Sequence, residues 1–189
     1  MIEYREIDKS DLSIYDEVKQ IVQVKSKYIL DRINNGLSGV ILKEVPVKEY
    51  VKDFGSDNAV KLKDRFDLSN WAFFIAFNEG KPIGAVTIAS RTKDVYMLEG
   101  RDDLSVLWDI RVAEGYKHQG IGQKLFDIAV QWSKDRGFKQ LKVESQNNNI
   151  PACNFYHKQG AILSKMDEYA YYNDEESKNE IQFLWYLDL

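Results

Sequence analysis

The stretch "VLWDIRVAEGYKHQGIGQKLFDIAVQWSKDRG" (Val106–Gly137) changes periodicity part-way along. Val106–Val112 is rich in β-branched and aromatic residues, as a strand requires. From Gly120 onward, apolar Leu125, Ile128, Ala129 and Trp132 recur at helical spacing, and Gly137 stands where a helix ends. The spacing predicts a strand, a glycine-bearing loop and a helix over 120–137.

The loop is the informative part. Gly120 and Gly122 remove Cβ atoms where a phosphate or another backbone would approach closely. A helix start carries unpaired N–H groups and a partial positive charge. Together these suit a pyrophosphate, with Lys117 and His118 able to add positive charge. A strand–helix turn that needs glycine for geometry alone has the same spelling. No Gly-Lys-Ser/Thr follows, so this is not a Walker loop, and the third glycine of the dinucleotide fingerprint is missing.

Outward from this stretch the pattern stays legible on both sides. "WAFFIAF" and "IGAVTIAS" read as strands joined by the turn "NEGKP". "VYMLE" reads as a short strand or an excursion. Downstream, "QLKVESQ" and "IQFLWYLDL" read as strands, and "IPACNFYHKQG" as a short helix with Pro151 in its first turn and Gly160 past its end. Upstream the signal fades. "MIEYREI" suits a strand, and "DEVKQIVQVKSKYIL" mixes both periods. "NNGLSG" reads as a hairpin turn, and residues 47–66 are expected to be a mostly polar helix. The order of elements points to an α/β or α+β sheet with helices packed on it.

Composition bounds the function. The 189 residues suffice for one domain with a real core, and no linker-like stretch divides them, so a single domain over 1–189 is expected. Net charge is −4, which disfavours a nucleic-acid partner and leans weakly toward a cationic ligand. One cysteine, Cys153, excludes an internal disulfide and a thiolate zinc cluster, so no metal is expected. No apolar run approaches the ~20 residues of a membrane span, and "MIEYREIDKSDLS" lacks a signal peptide's apolar segment. A soluble, cytoplasmic monomer or homodimer is the expectation.

A second constellation starts 27 residues beyond Gly122: "NIPACNFYHKQGA", Asn149–Ala161. Taken singly, its members are ordinary. Asn149 would be a helix cap, and Phe155 and Tyr156 packed rings. Together with "KHQGIG" (117–122) it resembles the GNAT N-acetyltransferase superfamily. That family's pattern is Arg or Gln, two residues, Gly, one residue, Gly or Ala, and downstream N-x-x-A-x-x-F-Y-x-x-x-G followed by an aromatic residue. Here Lys117 replaces the usual Arg or Gln, and Ala161 the usual aromatic. Within the superfamily, 71–189 looks like the streptothricin (nourseothricin) acetyltransferases. Their Asp-Ile-x-Val strand reads Asp109–Val112 here, and their run of Glu, Thr or Ser, Gln, Asp or Asn, one residue and Asn reads Glu144-Ser145-Gln146-Asn147-Asn148-Asn149. Residues 1–70 match poorly and are expected to shape the acceptor side.

The resemblance implies a mixed, mostly antiparallel, twisted sheet flanked by helices, with the fold's fourth and fifth strands splayed to admit acetyl-CoA. It implies that Ile110, Arg111 and Val112 pair with the pantetheine arm like an added strand. Amides from His118 through Gln119, Gly120, Ile121, Gly122 and Gln123 would hold the pyrophosphate, and Asn149 would contact the pantetheine chain. Tyr156 matches the family's general acid. Asp109 and Glu144, acidic residues in otherwise apolar strands, would bind a small cationic amine or accept its proton through water; the plain alternative is an ion pair with Arg111 or Lys142. Three functions follow: acetylation of the β-lysine amine of streptothricin, acetylation of another amine (a peptide or polyamine-like metabolite), or acetyl-CoA binding without turnover.

Overall fold

The computed structural model describes residues 1–55 and 58–189. Its strands are β1 (Ile2–Glu6), β2 (Ile21–Arg32), β3 (Val40–Asp53), β4 (Ala72–Asn78), β5 (Lys81–Ser90), β6 (Leu104–Val112), β7 (Gln140–Gln146), β8 (Ile162–Asp167) and β9 (Gln182–Asp188). The helices are α1 (Leu12–Tyr15), α2 (Ala59–Arg65), α3 (Ile121–Asp135) and α4 (Ile150–Lys158). Seven strands form one mixed, mostly antiparallel sheet in the order β1-β4-β5-β6-β7-β9-β8, while β2 and β3 pair separately. The α/β architecture expected from the sequence is the one observed.

Backbone chemistry sets the turns. Glu79 (φ 52°) and Gly80 (φ 79°) carry two consecutive positive φ values between β4 and β5, the twist a two-residue hairpin requires. Gly137 (φ 78°) and Gly160 (φ 85°) stop α3 and α4 in the left-handed conformation. Asn149 caps α4 by accepting the Ala152 amide at 3.3 Å. "VYMLE" forms a single 3-10 turn at Tyr96–Leu98 rather than a strand.

The expected helix over 47–66 is a correction. β3 continues to Asp53, and only Ala59–Arg65 is helical. The "NNGLSG" turn does form, with Asn34, Asn35 and Gly36 at positive φ, and it extends the hairpin into residues that read as polar helix. Polar side chains then pair across the two strands, Ser26 with Glu44 at 2.5 Å and Gln23 with Glu49 at 2.9 Å. Residues 56–57, inside the same expectation, lie outside the described residues.

The chain packs as two compact units. The first comprises 1–21, 53–143 and 186–189; the second comprises 22–52 and 144–185. In the first, β4 pairs antiparallel with β1 and β5, β5 with β6, and β6 pairs in parallel with β7 from Leu104↔Gln140 to Leu107↔Val143. One face of this sheet carries Phe73, Ile75 and Ala85 against Leu12, Tyr15 and Leu62 of α1 and α2. The alternate residue Gly84 faces Ile121 and Leu125 of α3. Ile121, Leu125 and Ala129 are buried, and each of the two larger side chains contributes on the order of 1.5–3 kcal/mol by leaving water. In the second unit, Asn147 joins three segments. Its side chain donates to Tyr28 O at 2.7 Å and accepts from Ile181 N at 2.9 Å.

Candidate active site

In the first unit, β6 ends at Val112 and α3 begins at Ile121. Between them His118 (φ 61°) and Gly120 (φ 81°) are both left-handed, which turns the chain abruptly into the helix. Gly120 is the cap residue and has no side chain to offer the first-turn amides. Lys124 N donates to Gly120 O at 3.0 Å, which starts the helical ladder. The amides of Ile121, Gly122 and Gln123 have no carbonyl one turn behind them in the helix. Gly120, His118, Gln119 and Gln123 are exposed. No atom lies within 4 Å of where a Gly120 Cβ would sit, and a Gly122 Cβ would meet only Val112 Cγ2 at 3.6 Å. This is an open amide cradle on the 15-residue helix that the sequence singled out.

Lys117 points elsewhere. Its ammonium donates to Ile21 O at 2.6 Å and to Glu114 Oε2 at 2.5 Å, so the side chain ties the loop to the start of β2. The cradle is built from backbone.

Ladder alternation decides which β6 groups face away from β5. Ala113 N donates to Ile83 O at 2.8 Å, and Arg111 pairs with Ala85. The odd residues therefore spend their amides and carbonyls on β5, and those of Ile110 and Val112 turn to the other edge. There the Gln20 side chain donates to Ile110 O at 3.0 Å.

Asp109 and Arg111 lie on the face toward α1. The Arg111 guanidinium donates to Asp109 Oδ2 from Nε and to Val18 O from Nη1 at 3.3 Å. The Tyr15 hydroxyl also donates to Asp109 Oδ2, at 3.0 Å. The Arg111 side chain is 3% exposed and that of Asp109 13%, so the pair is largely out of water. Burial, followed by the negative charge of Asp109, pushes the Tyr15 hydroxyl well above its ordinary range.

In the second unit, Ser145 of β7 is turned toward α4 and β9. Its hydroxyl lies 3.4 Å from Cys153 Sγ and accepts from Trp185 Nε1 at 2.9 Å. Burial pushes the Cys153 thiol up to about 11, which makes it a poor nucleophile. Tyr156 of α4 is buried at 4% exposure, with its ring 5.6 Å from Phe155 and 6.4 Å from Trp185. Asn149 is buried as well, with its side-chain oxygen spent on the α4 cap. Glu144, two places along the strand from Gln146, accepts from Tyr171 Oη at 2.5 Å, from Gln146 Nε2 at 3.2 Å and from Gln182 Nε2 at 2.7 Å. Burial, then the Glu144 carboxylate, raises the Tyr171 hydroxyl far above its ordinary value. Lys142 does not reach Glu144; it donates to Met97 O at 3.0 Å and to Glu99 Oε1 at 3.1 Å.

Sequence reasoning missed Tyr15, Gln20, Tyr171 and Gln182. Tyr171 sits in "DEYAYYNDEE", which reads as a solvated acidic loop. The only signal was its aromatic content. Among the described residues no group of His, Cys, Asp and Glu side chains suits a metal ion, and no helix is long and apolar enough to cross a membrane.

The model of the acetyltransferase (GNAT) family matches residues 42–161. Streptothricin acetyltransferase A of Bacillus subtilis is 34% identical over 115 residues, covering 61% of this chain and 61% of that protein's own length. The streptothricin acetyltransferase of Escherichia coli is 28% identical over 139 residues, covering 74% of this chain and 68% of that one. Two crystal structures share the fold from end to end. One is a Bacillus anthracis protein assigned as a streptothricin acetyltransferase, in complex with acetyl coenzyme A (TM-score 0.78, 23% identity, 100% of this chain and 98% of that one). The other is nourseothricin acetyltransferase (TM-score 0.76, 22% identity, 99% and 98%). With a family model spanning well over half its residues, and the strand–glycine loop–helix unit inside that span, the chain belongs to the acetyltransferase (GNAT) family.

Proposed function

We propose that this protein is an acetyl-CoA-dependent N-acetyltransferase whose acceptor is a primary amine of a small cationic molecule, the β-lysine group of streptothricin. The observation that carries the reading is the amide cradle: His118 and Gly120 left-handed at the start of α3, directly after β6. The open space beside Gly120 fits a pyrophosphate. The names of the Bacillus subtilis and Escherichia coli relatives support the acceptor.

In this mechanism the amides of His118–Gln123 bind the pyrophosphate, assisted by the helix dipole. The outward groups of Ile110 and Val112 pair with the pantetheine arm as an added strand, with Arg111 between them fixing the strand against α1. Asn149 contacts the pantetheine chain. The bound donor supplies an acetyl thioester. An alkylammonium acceptor titrates near ~10 by analogy with lysine, so it must shed a proton first; Asp109 or Glu144 binds it or takes that proton through water. A strand N–H near Val112 supports the developing oxyanion; the Tyr156 hydroxyl gives a proton to the departing sulfur, and the proton lost by the acylated nitrogen restores that hydroxyl. Acetylation removes a positive charge and a strong donor from β-lysine, which weakens its hold on an anionic target such as RNA.

The test is thiol release from acetyl-CoA with streptothricin, spermidine and a lysine peptide as acceptors. Release with streptothricin at the highest kcat/KM is expected. Release with the peptide alone would move the function to protein acetylation, and donor binding with no release on any amine would leave a binding module.

A further inference from the structure

The two strand carboxylates have different partners. Asp109 Oδ2 is held by the buried Arg111 guanidinium, so its charge is already compensated. Glu144 is held by Tyr171, Gln146 and Gln182, three neutral donors. Among the described residues no lysine or arginine pairs with it. A carboxylate offers about four lone-pair positions. Three are filled here, and the donors that fill them fix its orientation without cancelling its charge.

The surroundings of Glu144 add acceptors. Burial first, and then the charges of Glu144 and Glu180, raise the Tyr171 hydroxyl. Glu180 Oε1 accepts from Asn148 Nδ2 at 2.8 Å and from Lys52 Nζ. Glu180 Oε2 and Asn148 Oδ1 are buried with no hydrogen-bond partner among the described residues, although Asn148 is only 3% exposed. Two carboxylates against one lysine leave this group negative. Orphaned buried acceptors and an uncompensated, pre-oriented carboxylate both call for a cationic donor.

We propose that Glu144 receives an ammonium of the acceptor, with Tyr171 and Gln182 as positioning residues that hold its carboxylate, and that Asp109 is a structural partner of Arg111. This rests on the amine-acetyltransferase reading above and names the group that binds the acceptor. Glu144 then sets acceptor affinity, in preference to serving as the base.

The experiment compares wild type, E144Q, E144D and Y171F in steady-state kinetics with streptothricin, alongside calorimetric titration of streptothricin and spermidine. Thermal melts confirm that each variant is folded. E144Q should raise the acceptor KM at least tenfold, with kcat changed by less than about threefold and the acetyl-CoA KM unchanged. Y171F should raise it severalfold, and E144D should recover part of the loss. Acceptor KM of wild type should climb with added salt, and that of E144Q should stay nearly flat, a response that a purely structural role would not produce. A fall in kcat at unchanged acceptor KM would overturn the proposal and make Glu144 part of the chemistry. If wild type releases no thiol with any amine, the functional reading fails and calorimetry decides alone. Binding of spermidine or streptothricin that weakens tenfold in E144Q supports the ammonium site, and equal or absent binding overturns it.

Discussion

Gly84 of β5 faces Ile121, the first residue of α3, so closely that a Cβ on Gly84 would lie 2.9 Å from Ile121 Cγ2. Leu125 Cδ1 would be 3.0 Å away and the Arg111 carbonyl oxygen 3.2 Å. Glycine is needed here for the approach of helix to sheet, and that approach sets where the α3 amides point. Gly84→Ala should cost about 1–3 kcal/mol by overpacking, read as a lower urea midpoint at unchanged m. It should also raise the KM for acetyl-CoA, because relief comes by moving the start of α3 off β5.

Gly122 offers the contrasting case. Its Cβ would meet Val112 Cγ2 at 3.6 Å, an ordinary contact, in backbone without positive φ. Gly122→Ala should therefore leave stability unchanged or raise it by roughly 0.5–1 kcal/mol, the helix-interior difference between the residues. The added methyl stands where the pyrophosphate is placed, so acetyl-CoA affinity should fall at least tenfold. A variant that is stable and binds the donor normally would mean that the cradle is only a turn.

Arg111 is the test of the buried pair in the first unit. Removing it takes the guanidinium from the largely buried Asp109 carboxylate, which still accepts from the Tyr15 hydroxyl, and frees Val18 O. Arg111→Met should cost about 3–5 kcal/mol, as breaking a buried ion pair from one side does. The double variant with Asp109→Asn should recover much of that loss, which a double-mutant cycle of denaturant midpoints would read.

What the sequence made legible follows the range of the interactions. β4 through α4 were readable because local chemistry dictates them: the Glu79–Gly80 turn, the Gly137 and Gly160 stops and the Asn149 cap all act within a few residues. The β2–β3 hairpin was not. Its strands show few buried positions, so no clean alternation marks them, and the polar tail of β3 reads as a helix. β8, "ILSKMD", has one partly buried residue in six and gives no periodic signal. In the candidate site, the cradle and α4 were spelled out by glycine and asparagine spacing. The partners of Glu144 were not, because Tyr171 and Gln182 lie 27 and 38 residues away along the chain.

Cys153 gives a pH prediction with a definite sign. Its thiol moves from an ordinary 9.0 to about 11 because burial disfavours the thiolate. Between those values the unfolded chain has lost its proton and the folded chain has kept it, so the unfolded state binds fewer protons and stability falls as pH rises. The loss should begin near pH 9 and approach roughly 3 kcal/mol by pH 11. Tyr15 and Tyr171, also raised, add to it above pH 10. Cys153→Ala should make the decline in urea midpoint between about pH 9 and 11 shallower. In the native wild type, a disulfide reagent should label the thiol far more slowly than in denaturant.

Tyr156 is the last group to separate by experiment. Its hydroxyl is proposed to protonate the departing sulfur, and its ring is packed near Phe155 and Trp185. Tyr156→Phe keeps the ring and removes only the donor. If the hydroxyl is the acid, kcat should fall by about 10²–10⁴, the usual contribution of a positioned proton donor, with the acetyl-CoA KM within about threefold of wild type. A structural hydroxyl predicts the reverse, a lower denaturant midpoint at nearly constant kcat. The readouts are independent, because a lost buried hydrogen bond costs only about 1–3 kcal/mol of stability and leaves a folded enzyme whose turnover can be measured.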